Sequence, residues 1–184
     1  MSAPDRTPGH FNRLARVLHW TMAVMILAML FIGVTMMASL HLRPTLVDIH
    51  RPLGIAIGLL VLLRLYNRLR HPPPPLPADL PWWQALAAKA SHWLLYALML
   101  AMPLLGWSML SAGGYPIVLW SGVNLPPIAA HSAALYTALR SAHSLLAYVL
   151  FATVVLHLSA ALFHLWVRRD GVFQAMAKGR DSQR

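Results

Sequence analysis

Long apolar blocks alternate along the sequence with short segments that contain most of its charges. Each of the four blocks is close to the roughly 20 residues that a helix needs to cross about 30 Å of hydrocarbon. The pattern predicts an all-α fold, an integral membrane four-helix bundle that forms a single domain over 1–184. The predicted helices cover residues 13–40, 48–69, 86–111 and 139–168.

The second block has the shortest uninterrupted apolar run, from Pro52 to Leu63. Arg51 and Arg64 flank this run, so their side chains must extend to the membrane surfaces or meet anionic groups. If Asp48 caps the helix, Pro52 lies at the edge of the first turn, where proline is tolerated. A kink at Pro52 is the alternative.

The composition separates this chain from soluble domains, since only 11% of its residues are charged and 58% are hydrophobic. Soluble domains carry about 25% charged residues. The absence of cysteine excludes disulfides, thiolate metal sites, thioether-attached haem and cysteine-ligated iron–sulfur clusters. The net charge of +10 would suggest nucleic acid as the partner of a soluble protein. Here the charges flank apolar blocks, so they indicate a lipid bilayer and no nucleic acid.

The basic residues are distributed unequally between the two sides of the predicted bundle. Positive charge is enriched on the cytoplasmic side of membrane proteins, so both termini and the middle loop are predicted to be cytoplasmic. The residues on that side are Arg6, Arg13, Arg16, Arg64, Arg68, Arg70, Lys89, Arg168, Arg169, Lys178, Arg180 and Arg184, against Arg43, Arg51 and Arg140 on the other.

Three histidines, His143, His157 and His164, interrupt the fourth apolar block. Helix geometry of 100° and 1.5 Å per residue places the first two within about 40° in azimuth and about 21 Å apart along the axis. His164, seven residues after His157, is displaced from it by another ~20° in azimuth. All three therefore share one stripe, and polar residues inside a membrane usually face the bundle interior.

The predicted orientation places histidines of other helices at matching depths. His19 lies at the level of His157 near the cytoplasmic side, and His50 at the level of His143 near the outer side. Two imidazoles on facing helices can ligate one haem iron axially. The alternative is that the four side chains are hydrogen-bonded packing residues. We expect His92 to be an interfacial residue of the third helix rather than a ligand.

Four arginines lie near the predicted histidine levels, Arg51 and Arg140 at the outer one and Arg16 and Arg64 at the inner one. Haem propionates would accept charge-assisted hydrogen bonds from them. The other interpretation is that these arginines only mark the membrane boundaries. The last outer loop, residues 113–139, is apolar and is expected on the membrane face or over the bundle mouth.

Three segments resemble the bacterial cytochrome b561 family: RLARVLHW, DIHRPLG and SAHSLLAYVLFATVVLHLSAALFHLW. The resemblance extends from Phe11 to Met176. It implies a multi-pass protein of the bacterial inner (plasma) membrane that contains two haem b groups. The resemblance to superoxide oxidase-type members implies an oxidoreductase that takes electrons from periplasmic superoxide and passes them to membrane ubiquinone.

Residues of this chain at positions that match the family's site residues are expected to have the same roles. The resemblance implies a quinone site at His164 and Arg168, in which the histidine hydrogen-bonds a quinone carbonyl and helps to deliver a proton. A histidine that only reaches the membrane surface is the alternative. Pro52 follows His50 by two residues, and a proline is not expected in a regular helix so close to a haem ligand. The implied haem ligands are His19, His50, His143 and His157.

Other functions compete with this one. A b-type cytochrome subunit that relays electrons for a dehydrogenase or hydrogenase would need a redox partner subunit. A histidine-lined metal or proton transporter would contain no haem, as would a membrane interaction protein whose histidines only pack. The outer side carries three arginines against Asp48, and this slight positive bias favours anionic superoxide as the donor.

Overall fold

The computed structural model describes residues 9–120 and 123–178, which are mostly helical. Four of its helices are long and apolar enough to cross a membrane. The elements are α1 (Arg13–Ala38), α2 (Arg43–Arg70), α3 (Trp82–Ala112), β1 (Ile117–Trp120), β2 (Val123–Leu125), α4 (Ala133–Phe163), a π-helical turn (His164–Arg168) and α5 (Val172–Ala177).

The second helix begins at Arg43 rather than at Asp48, so Asp48 does not cap it. Pro44 lies in the first turn of α2, where its fixed φ and missing N–H suit a helix start. Asp48 is consequently an internal residue of the helix, and Pro52 lies inside it as well. Pro52 removes one backbone hydrogen bond, a loss that membrane helices tolerate when neighbouring groups compensate.

Two other helices also begin earlier than predicted. Trp82 starts α3, directly after Pro81. Ala133 starts α4, and the Ser132 side chain caps it by accepting a hydrogen bond from the backbone N–H of Leu135. A serine cap satisfies a donor that the first turn leaves unpaired. Residues that were expected in the outer loop therefore form the first turns of α4.

Consecutive helices pack against each other, α1 on α2, α2 on α3 and α3 on α4, whereas α1 and α4 are not packed closely together. The α2–α3 contact is tight, since a Cβ on Gly58 would lie 3.1 Å from Cγ of Pro103. The centre of the bundle is a cluster of buried side chains. Its members are Met22, Val61, Tyr96 and Met99.

The two ends of the bundle differ in what covers them. We call the end where α1 and α3 begin the terminal end, and the end where they finish the hairpin end. At the hairpin end, β1 and β2 pair in antiparallel fashion, and β1 packs on α2 and α3 with Ile117 and Leu119 buried. Trp107 Nε1 donates to the carbonyl of Pro126 at 2.8 Å, which fixes the following loop. The loop thus packs against α2 and α3 and contains a hairpin that the sequence pattern did not predict.

Short polar contacts close the terminal end. The side-chain amides of Asn12 and Asn67 donate to each other at 3.2 and 3.3 Å and join the start of α1 to the end of α2. The backbone N–H of Phe11 donates to the carbonyl of Ala175 in α5. Helix α5 therefore contacts the segment just before α1 and packs against α4 and the π-helical turn. Among the residues used to predict sidedness, Arg6, Arg180 and Arg184 lie outside the described ranges.

Candidate functional site

Two pairs of histidines face each other at two levels of the bundle. The ring centroids of His19 on α1 and His157 on α4 are 6.2 Å apart, with an interplanar angle of 72°. The centroids of His50 on α2 and His143 on α4 are also 6.2 Å apart, at 63°. The structure therefore brings together the residues that the sequence placed at matching depths.

The spacing within each pair fits two imidazoles bound to one metal ion. Imidazole nitrogens lie about 2.0–2.1 Å from a first-row metal, so two ligands on opposite sides have ring centroids roughly 6 Å apart. In the described part of the chain, Nδ1 of His50 and Nδ1 of His143 are buried without a hydrogen-bond partner. Buried polar atoms are normally paired, so these two nitrogens leave a place for a partner that the described residues do not supply.

Two glycines leave room around the hairpin-end pair. A Cβ on Gly106 of α3 would lie 3.5 Å from Cε1 of His143, so the backbone of α3 runs directly alongside that ring. Gly33 lies fourteen residues after His19, hence within about 40° of it around α1. A Cβ on Gly33 would meet no atom within 4 Å. The loose α1–α4 contact and this open space suit a flat prosthetic group.

The terminal-end pair has a third imidazole beside it. The ring centroid of His92 on α3 is 5.3 Å from that of His157. His92 was expected to be an interfacial residue of the third helix, although its position near the start of that helix also places it near the level of His19 and His157. Within the described ranges, no three His, Asp, Glu or Cys side chains form a metal-binding cluster. His92 is therefore a neighbour of the pair at this end of the bundle.

The four candidate arginines have different surroundings. Nε of Arg16 and Nε of Arg51 are buried and have no hydrogen-bond partner among the described residues. Arg64 Nη1 instead donates to the carbonyl of Ala15 at 2.9 Å. Arg140 is exposed and donates to the Tyr136 hydroxyl one turn earlier on α4. Arg16 and Arg51 therefore retain buried donors suited to an anionic group, such as a haem propionate.

Beyond the terminal-end pair, His164 belongs to a polar network at the end of α4. Its Nδ1 lies 2.6 Å from Oδ2 of Asp170. Nε of Arg168 donates to the same oxygen at 3.0 Å, and Nη2 of Arg168 donates to Asp79 at 2.8 Å. The two residues expected at a quinone site thus share one carboxylate, that of Asp170, which the sequence pattern did not predict.

An unusual backbone brings Asp170 back to His164. Residues 164–168 form a π-helical turn, and the N–H of Arg169 donates to the carbonyl of His164 at 2.8 Å. Arg169 then adopts a left-handed conformation with φ of 55°, which costs an L-residue about 1–2 kcal/mol. Single π-helical turns occur often at functional sites. Gly171, with φ of 81°, completes the reversal before α5.

The carboxylate of Asp170 is held in its ionised form. Burial alone would raise its pKa, but hydrogen bonds from His164, from the N–H of Val172 and from Arg168 outweigh burial and lower the pKa. Its side chain is 11% exposed, whereas that of Asp79 is 78% exposed. Asp170 is therefore a fixed negative charge beside the His164 ring.

The sequence was compared with known proteins. A family model described as prokaryotic cytochrome b561 matches residues 10–179. Cytochrome b561 homolog 2 of Escherichia coli (strain K12) is 28% identical over 177 residues, which cover 92% of each chain. Probable superoxide oxidase CybB of Yersinia pestis is 31% identical over 161 residues, which cover 86% of this chain and 90% of the relative.

The family match includes all four membrane-length helices and both histidine pairs. It establishes an electron-transfer role that uses b-type haem, and it places the protein in the bacterial inner membrane as a multi-pass protein. From the two histidine pairs and this match, we conclude that the chain belongs to the prokaryotic cytochrome b561 family.

Proposed function

We propose that this cytochrome is a di-haem superoxide:ubiquinone oxidoreductase, which oxidises superoxide on the periplasmic side and reduces ubiquinone near the cytoplasmic side. The observation that carries the proposal is the pair of histidine sites with equal 6.2 Å ring separations. Their α4 members are separated by fourteen residues of continuous helix, about 21 Å along its axis. Two sites at this spacing span much of the membrane interior.

The pairs are proposed to hold one haem b each, His19 with His157 and His50 with His143. Bound haem would supply reversible one-electron chemistry, tuned by its ligands, burial and nearby charge. The buried, unpaired Nε atoms of Arg16 and Arg51 support a role in holding propionates. Arg64 already bonds a backbone carbonyl, and Arg140 is exposed, so their proposed role there is weaker.

The orientation follows from the distribution of basic residues. Arg68, Arg70 and Lys89 flank the α2–α3 loop at the terminal end, and Arg168 and Arg169 follow α4 there. Positive charge collects on the cytoplasmic side, so we place the terminal end, with both chain termini, in the cytoplasm. The hairpin end then faces the periplasm.

Superoxide is the proposed donor because one relative is named a probable superoxide oxidase and because the hairpin end has a positive bias. Arg43, Arg51 and Arg140 lie there with Asp48 as the acidic residue among those described. Asp48 pairs with Arg51 at 3.8 Å, and the Asp48 side chain is 77% exposed, so it neutralises little of the charge. Positive surfaces steer small anions towards a site.

Ubiquinone is the proposed acceptor at His164 and Arg168. His164 lies seven residues beyond His157, about 10 Å further towards the terminal end. An imidazole there can hydrogen-bond a quinone carbonyl and exchange a proton with it. Arg168 adds a positive charge beside the same ring through their shared contact with Asp170.

The first test is the haem content of protein purified in detergent. A dithionite-reduced minus oxidised spectrum and pyridine haemochrome quantitation should give about two haem b per chain, as expected for two bis-histidine pairs. The preparation should then reduce ubiquinone-1 when superoxide is generated, and added superoxide dismutase should abolish that rate.

Other outcomes would point to other functions. A colourless preparation after haem-supplemented expression would contradict the di-haem proposal, and vesicle flux measurements would then test metal or proton transport. Two haems without superoxide-driven quinone reduction would reject the donor and acceptor. A second subunit that co-purifies in fixed ratio would instead favour a relay subunit of a dehydrogenase or hydrogenase. His41→Ala serves as a matched control because His41 is exposed, in the loop between α1 and α2, and is outside both pairs.

A further inference from the structure

The carboxylate of Asp170 determines what the His164 ring can do. Nδ1 of His164 faces this carboxylate at 2.6 Å. A carboxylate is only an acceptor, so Nδ1 must carry the proton in either charge state of the ring. Nε2 is then the nitrogen that accepts a hydrogen bond from the neutral ring and donates one from the imidazolium.

The carboxylate itself is held in place from several directions. Its Oδ2 also accepts from Arg168 Nε at 3.0 Å, and its Oδ1 accepts from the N–H of Val172 at 3.2 Å. The π-helical turn and the left-handed Arg169 set the backbone that delivers it. A strained conformation persists where the surrounding structure enforces it, and here it produces the Asp170–His164 contact.

We propose that Asp170 is a positioning residue for quinone reduction, one that fixes the tautomer and ring orientation of His164 so that Nε2 serves the quinone. This inference rests on the proposed quinone site. Asp170 acts through His164 and does not itself touch the quinone. In a histidine ring, the hydrogen-bond partner of one nitrogen determines which nitrogen is free to react.

The reaction balances as two superoxide anions, one quinone and two protons giving two O₂ and one quinol. Each superoxide loses one electron, and the quinone gains both electrons and both protons. Protonated His164 gives one proton from Nε2 to a quinone oxygen and regains a proton from cytoplasmic water. The second proton comes from cytoplasmic water. The Asp170 carboxylate remains ionised throughout and keeps accepting the hydrogen bond from Nδ1 of the ring.

The direct test is the tautomer of His164 in the dithionite-reduced protein. Solid-state NMR on protein labelled with ¹³C,¹⁵N-histidine reports which ring nitrogen carries the proton. His164→Gln removes one signal and assigns it. We expect that signal to show a protonated Nδ1 in the native protein and to lose this state in Asp170→Asn and Asp170→Ala. Asp48→Asn, the same change at the opposite end of the bundle, should leave the signal in place.

Kinetics with ubiquinone-1 supply the second readout. Asp170→Asn should lower kcat by about 10-fold or more, within the range of general acid–base contributions. Haem content and the rate of haem reduction by superoxide without quinone should stay unchanged. Asp170→Glu should recover part of the rate because it restores the carboxylate. In a His164→Gln background, Asp170→Asn should lower kcat little further, because the effects of two residues that act as one unit are not additive.

Failure of the proposed quinone site and failure of the proposed Asp170 role give different results. A native protein that reduces no ubiquinone overturns the proposed acceptor, whatever the NMR signal shows. Suppose that the native protein reduces ubiquinone. The positioning role is then overturned if Asp170→Asn leaves the His164 tautomer or kcat unchanged. It is also overturned if the kcat losses of Asp170→Asn and His164→Gln multiply in the double variant. Loss of haem or of superoxide-driven haem reduction in Asp170→Asn and Asp170→Glu alike would assign Asp170 to the fold and also overturn it.

Discussion

The hairpin-end and terminal-end histidine pairs have the same ring separation but different surroundings. At the hairpin end, Nδ1 of His50 and Nδ1 of His143 are buried without partners in the described structure, and the backbone of Gly106 adjoins the His143 ring. At the terminal end, His92 stands 5.3 Å from His157. The Asp170 network then follows His157 along the chain.

This difference corresponds to two kinds of chemistry. Oxidation of superoxide releases an electron and no proton, so the site nearest to it needs ligands, space and positive charge. Reduction of a quinone consumes protons as well as electrons, so the other end needs groups that exchange protons with water. His164, the proposed proton donor, and the ionised Asp170 that contacts its ring both lie at the terminal end, which agrees with the proposed direction of electron flow.

The largest expected effect separates the two pairs directly. In the proposed pairing, His19→Ala and His157→Ala should each remove the same haem, about one of two per chain, because each would delete one ligand of a shared iron. His50→Ala and His143→Ala should each remove the other. Low-temperature reduced spectra and pyridine haemochrome quantitation measure both losses. Should His19→Ala remove the same spectral component as His143→Ala, the pairing would be wrong.

Gly106→Leu should act on the hairpin-end site alone. Its Cβ would begin 3.5 Å from Cε1 of His143, and the rest of the leucine would overlap the ring. We expect that haem to be lost or its band shifted, while the terminal-end component is retained in the reduced spectrum. Gly106→Ala is the matched control, since one methyl group at that distance makes ordinary contact. Equal effects on both haem components of the reduced spectrum would contradict the placement of Gly106 beside the hairpin-end pair alone.

His92→Phe should change the terminal-end haem without removing it. A neighbouring imidazole tunes a haem through polarity and hydrogen bonding rather than by ligation. Redox titration should show two haems, with a shifted midpoint potential for the terminal-end component only. Loss of one haem would instead make His92 a ligand and exclude the His19–His157 pair in its present form.

The two aspartates that bind Arg168 should contribute unequally to stability. Asp170 is 11% exposed and bonds His164 as well as Arg168, so Asp170→Asn should destabilise by about 1–3 kcal/mol. Asp79 is 78% exposed, and Asp79→Asn should cost no more than about 1 kcal/mol. Thermal unfolding in detergent compares them. A larger loss in Asp79→Asn would show that the α2–α3 loop depends on this contact.

The smallest effect is the acid dependence of Asp170. Its folded pKa is below the ordinary value of 3.8, so on acidification the unfolded chain takes up this proton first. Stability from Asp170 is therefore complete above the ordinary pKa and is lost as pH falls through the folded pKa. The stability difference between the native protein and Asp170→Asn should shrink over that acid range, and a constant difference would contradict the ionised pair.

Much of the fold follows from local properties of the chain. Four apolar blocks must form helices because a bilayer leaves no water to bond the backbone. The periodicity of 3.6 residues then places His143 and His157 on one stripe. Helix ends were less well predicted, since Pro44 and the Ser132 cap extend α2 and α4 through residues that looked like loops.

The sequence by itself determined the four apolar helices, the membrane class and the matching levels of the two predicted histidine pairs, because these depend on hydrophobicity and a constant rise per residue. Only the tertiary structure decided that His92 approaches His157, that Gly106 adjoins His143 and that Asp170 returns to His164. Those contacts depend on helix rotation, on interhelical distance and on one left-handed residue after a π-helical turn. A one-dimensional pattern fixes none of these three quantities.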